Sequence, residues 1–91
     1  MSQPNEIALS LTSENVGAYC QELMRQSPNA GHALAALTGM QTFMAFMVPS
    51  GSHATSAYRA IMGVIAQHAA SARKQLLEES TDALVRALRA R

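Results

Sequence analysis

Charged side chains vanish from the middle of this chain, with none between Arg25 and Arg59. Inside that gap lie Leu34, Leu37, Met40, Phe43, Met44, Phe46, Met47 and Val48. Apolar positions run 33, 37, 40, 44, 47 and again 36, 40, 43, 47, steps of three and four that mark a helix. Two overlapping series make a face too wide for one neighbour, so more than one element must cover this helix. Its polar remainder is a narrow line of Gly31, Ala35, Thr38 and Thr42, with Gln41 beside it. The segment is about sixteen residues long, short of the roughly 20 that a membrane span needs.

Outside this segment the pattern predicts two more helices and an arm. Ile7, Leu9 and Leu11 alternate with polar residues, the period of a strand. No second strand is predicted, so residues 1–12 read as an extended arm that lies on the helices or pairs with its own copy. Helix 1 is expected over 13–26. Thr12 is its N-cap, and Leu11 and Val16 form a hydrophobic staple across that cap. Val16, Tyr19, Cys20, Leu23 and Met24 make one apolar face. Ser27-Pro28 ends helix 1 and, as N-cap and first helical residue, opens helix 2 over 28–47. Pro49-Ser50-Gly51-Ser52 breaks the chain, and helix 3 is expected over 52–90 with Ser52 as its cap.

Helix 3 carries a heptad seam of Tyr58, Met62, Ile65, Ala69, Ala72 and Leu76. After Leu76 the phase changes to Leu77, Ser80 or Thr81, Leu84 and Leu88, a pattern that reads as a stutter or break near residues 78–80. After Arg59, charge returns only in the last third of the chain, in Arg73, Lys74, Glu78, Glu79, Asp82, Arg86, Arg89 and Arg91.

Composition turns this all-α pattern toward assembly. Ninety-one residues make one domain, 1–91. Only 14% of them are charged, against a typical ~25%. So few charges leave the surface of a small monomer short of polar cover, and a second copy would supply the rest. The expected fold is therefore a three-helix antiparallel arrangement, with two shorter helices, one long C-terminal helix and the short arm, assembled as a helical dimer. The net charge of +1 sets up no field for nucleic acid or acidic lipid. The first residues show no basic, then apolar, leader pattern, and the single cysteine can form no internal disulfide. These features point to the cytoplasm.

Candidate chemistry is sparse. His32, His53 and His68 lie far apart, and none sits three or four residues from another ligand type, so no metal site is expected. The stretch 50–56 holds serines and His53 but no acid nearby to orient a Ser–His pair. Cys20 lies on an apolar helix face and reads as a core thiol. No glycine-rich phosphate loop occurs. No catalytic residue, cofactor or enzymatic activity is expected.

What remains is interaction. The expected function is a small homodimeric module that regulates or sequesters another protein by covering its surface, as an anti-activator, inhibitor or chaperone does. Partner and dimer contacts are expected at Met40, Phe43, Met44, Met47, Tyr58, Met62 and Ile65, where methionines adapt to irregular surfaces. The alternative is a small nucleic-acid-binding transcriptional regulator that touches phosphates through Arg73, Lys74, Arg86 and Arg89. Glu78, Glu79 and Asp82, set between those cations, weigh against it.

Overall fold

The structure, a computed structural model, describes residues 10–90. Among them three α-helices form: α1 (Val16–Gln26), α2 (Ala30–Met47) and α3 (Ser56–Arg89). A 3-10 turn at Ser50–Ala54 joins α2 to α3. No described residue is in a strand. The expected arm lies mostly outside the described residues. Of its last three positions, Ser10 is helical, and Leu11 and Thr12 are irregular.

Each helix start has a local cause. Thr12 and Asn15 cap one another: the Asn15 N–H donates to Thr12 Oγ1 at 3.2 Å, and the Thr12 N–H donates to Asn15 Oδ1 at 2.7 Å. This reciprocal pair satisfies two backbone donors ahead of α1. The helix itself begins later than expected, at Val16 rather than residue 13 and with Asn15 rather than Thr12 at its N-cap, because residues 13–15 close a turn first. Leu11 and Val16 on either side of that turn are both buried.

The start of α2 differs from the expected one. Asn29, not Ser27, is the cap, its Oδ1 accepting from the His32 N–H at 2.8 Å. Ser27 instead donates its hydroxyl to the Leu23 carbonyl at 2.7 Å, closing the end of α1. Two capping residues flank Pro28, and each serves the nearer helix. The start of α3 also shifts, since residues 50–54 wind into the 3-10 turn. Thr55 caps α3 by accepting from the Tyr58 N–H at 3.1 Å, while Ser52 supplies a carbonyl that accepts from Thr55.

The helices run up, down and up. Gly31, at the start of α2, faces Leu76 far along α3. At the other end Met44 and Val48 share a cleft with Tyr58 and Ile61. α2 and α3 are therefore antiparallel. α1 runs alongside α3, its Leu11 end near Ile61 and its Met24 end near Gln75. Val16, Cys20, Leu37, Met44 and Ile65 are fully enclosed where the three meet. Ile61, Ala69 and Ala72 continue the wall from α3. Complete burial of such a side chain stabilises by about 1.5–3 kcal/mol.

Helix α3 is unbroken through residues 78–80, so the phase change expected there as a stutter or a break is not a break. A helix turns by about 100° per residue, which sets Leu77, Thr81, Leu84 and Leu88 roughly 135° around the axis from the Ile61–Ala72 wall. The change of phase marks a second stripe on the far side of the same helix.

Candidate interaction surfaces

The sequence picture left α2 with more apolar surface than one neighbour covers. The chain itself supplies two neighbours. α1 and α3 enclose Ala33, Leu37 and Met44 and partly cover Leu34, Met40 and Phe43. The face left in water is mostly small or hydroxylated: Ala35, Thr38, Gly39, Thr42 and Ala45. At its end Phe46 is 82% exposed, with Met47 half-exposed beside it.

The expected contact residues divide accordingly. Met44 and Ile65 are enclosed in the chain's own core. Met40, Phe43, Tyr58 and Met62 are partly buried against that core. Among the seven, Met47 alone is exposed. The seam read from Tyr58 to Leu76 therefore serves the three-helix body, with Ile61 as its deepest early member in place of Met62.

A second apolar surface lies at the other end. Every described residue after Leu76 is exposed. The 34 residues of α3 span about 51 Å, whereas the 18 of α2 reach only about 27 Å along it. The last turns of α3 therefore extend past the body, and the molecule measures 56 × 28 × 21 Å. On this arm Leu77, Leu84 and Leu88 are 68%, 60% and 58% exposed, and Val85 adds to the same side. The one polar member of the stripe, Thr81, donates its hydroxyl to the Leu77 carbonyl at 2.8 Å. Its hydrogen bond is made within the helix, so covering it leaves no donor stranded. The cue in the sequence was the 77–84–88 spacing after the phase change.

The cations proposed for phosphate contact do not share a face. Arg73 flanks the leucine stripe, Lys74 continues its three-and-four spacing one step before Leu77, and Arg86 and Arg89 lie toward the side shared with Glu78 and Asp82. All four are exposed.

Other polar groups are structural in their contacts. Glu22 pairs with Arg25, and hydrogen bonds from Arg25 and Gln26 hold its carboxyl below the usual carboxylate range. Burial pushes the Cys20 thiol up. The His53 ring stacks on Tyr58 with centroids 4.5 Å apart, its Nε2 enclosed without a hydrogen-bond partner. Next to it, Leu11, Met44, Val48, Pro49, Tyr58 and Ile61 line an open apolar cleft of about 240 Å³. Among the described residues, no three His, Cys, Asp or Glu side chains gather as a metal site. No helix there is long and apolar enough to cross a membrane.

No known protein family, characterised protein or solved structure matches the chain.

Proposed function

We propose that this chain is a small homodimeric interaction module that binds another protein and regulates or sequesters it by covering its surface. The observation that carries the reading is the pair of uncovered apolar patches at opposite ends of the molecule. One is the Leu77–Leu88 stripe on the α3 arm, and the other is Phe46 with Met47 at the end of α2. Contiguous exposed apolar surface on a small protein marks an interaction site. Two such sites roughly 40 Å apart along α3 allow self-association and partner binding together. Large aromatic and aliphatic side chains like these act as anchors in a partner's groove. The mechanism is occlusion, with no bond made or broken.

Affinity capture from native extract tests this reading. The capture is run at about 50 and 200 mM salt, with and without nuclease; apolar association changes little over that range, while phosphate binding weakens by orders of magnitude. A stoichiometric protein, retained at both salts and lost with Phe46→Ser, is the expected result. Recovery of nucleic acid that washes off at the higher salt would replace this function with nucleic-acid binding.

A further inference from the structure

We infer that the leucine stripe on the α3 arm is taken by a second copy of this chain, and that the two arms pair antiparallel with Leu77 of one copy opposite Leu88 of the other. The inference rests on the interaction-module reading and deepens it, by naming the occupant of one patch and its register.

Three observations point to the second copy. First, the stripe repeats at 77, 81, 84 and 88, the four-three-four spacing by which two helices interlock side chains along a seam. Second, Thr81 has already satisfied its hydroxyl on the Leu77 carbonyl, so the whole stripe can be dried without an orphaned polar group. Third, the arm carries its charge in blocks of alternating sign. Arg73 and Lys74 are followed by Glu78, Glu79 and Asp82, and then by Arg86 and Arg89.

Those blocks choose the direction. In the antiparallel register, Leu77 meets Leu88 of the other copy, and Thr81 meets its Leu84. Glu78 and Arg89 lie on the same flank of the stripe, and antiparallel pairing brings like flanks together. Glu78 therefore comes within reach of Arg89 across the seam, twice by symmetry. A parallel pair would offer Glu78 to Arg73, but it would stack Lys74 on its own copy within the seam. It would also lay the acidic block on the acidic block and the basic on the basic. Antiparallel pairing lets the helix dipoles oppose rather than add. The bodies then sit at opposite ends of a rod, each with its Phe46 patch free. Two 34-residue helices overlapping over the arm give a rod near 80 Å long.

Sedimentation equilibrium on the full chain, joined to a distance measurement, tests this. The chain should be a dimer with micromolar dissociation. Leu84→Asp should weaken it at least a hundredfold, with helix content and dilute melting midpoint unchanged, because Leu84 touches nothing in its own body. A spin label on Ser71→Cys, read against a wild-type control for any labelling of buried Cys20, reports direction. In the antiparallel register the two Ser71 positions are about 35 Å apart along the axis. A parallel pair holds them at about 10–20 Å, near the spacing of packed helices. A distance in the shorter range overturns the register and direction. A dimer indifferent to Leu84→Asp overturns the surface, and a monomer at all concentrations overturns the pairing itself. In that last case the capture experiment still reads the partner, so the two proposals fail separately.

Discussion

The same chemical change, leucine to alanine, should have opposite characters at Leu37 and Leu84. Leu37 is wholly enclosed between α1, α2 and α3. Truncation there removes transfer energy and leaves a cavity, costing about 3 kcal/mol within a range of 2–5. For a chain of this size each kcal/mol moves the melting midpoint by about 4–8 °C. Leu37→Ala should therefore melt at least 12 °C or so lower, at every protein concentration. Leu84 is mostly exposed on the arm. In the single chain its loss should stay within about 0.5 kcal/mol, partly offset by alanine's better helix propensity. The midpoint at high dilution should hardly move. Concentrated samples should separate the variant from wild type, because a partner copy at about a hundredfold over its dissociation constant adds about 2.7 kcal/mol to the folded state. Removing the exposed three-fifths of a side chain worth about 2 kcal/mol, from both copies, weakens pairing by about 2.4 kcal/mol, or roughly 60-fold. Calorimetric melts across a concentration series measure all of this. A large fall for Leu84→Ala at high dilution would show that the arm packs on its own body. A small fall for Leu37→Ala would show that the core is elsewhere.

Three further outcomes follow from the contacts. Thr81→Leu should tighten dimerisation by about tenfold, since it adds apolar bulk opposite Leu84 of the second copy; sedimentation of the variant that shows weaker pairing would count against the register. Glu78→Arg should weaken the dimer, and adding Arg89→Glu should restore it, a swap that an analytical column can follow in varied salt. Cys20 should react slowly with an alkylating reagent at alkaline pH until denaturant is added. Because burial raises its thiol pKa, its contribution to stability is full below the unfolded thiol pKa and is lost as pH rises through the folded one.

Much of the body could be read from residue order alone. The burial of Leu11 and Val16, the breaks at Ser27–Pro28 and Pro49–Ser52, and the buried line through Ile65, Ala69 and Ala72 all follow from local chemistry, whereas the helix expected to start behind a Thr12 cap starts behind Asn15. The choice of Asn29 over Ser27 as cap could not be read, because both are good caps and tertiary packing sets where the turn falls. The methionines misled in a definite way. Met44 has the adaptable side chain of a binding surface and the spacing of a core residue, and only the positions of α1 and α3 show that it is core. The reverse holds at residue 77. A step of one residue, from Leu76 to Leu77, looks like a defect in a seam, but on a continuous helix it is a rotation to another side. Pattern gives the angle of each stripe; it does not say which stripe the chain covers itself.

The arm owes its order to a part of the molecule it does not touch. A free peptide of its length would be mostly unfolded in water, because starting a helix is the unfavourable step and short helices seldom recover it. Here that step is completed upstream, where Ile61 and Ile65 are locked against α1 and α2, and the last turns only propagate an existing helix. A second copy docking there would meet a rigid helix, and little chain entropy would be lost on contact. Any binding at the tip would then be thermodynamically coupled to folding of the body. Loosening Leu37 or Ile65 raises the population of frayed arms, and occupancy of the arm tightens a core some tens of ångströms away.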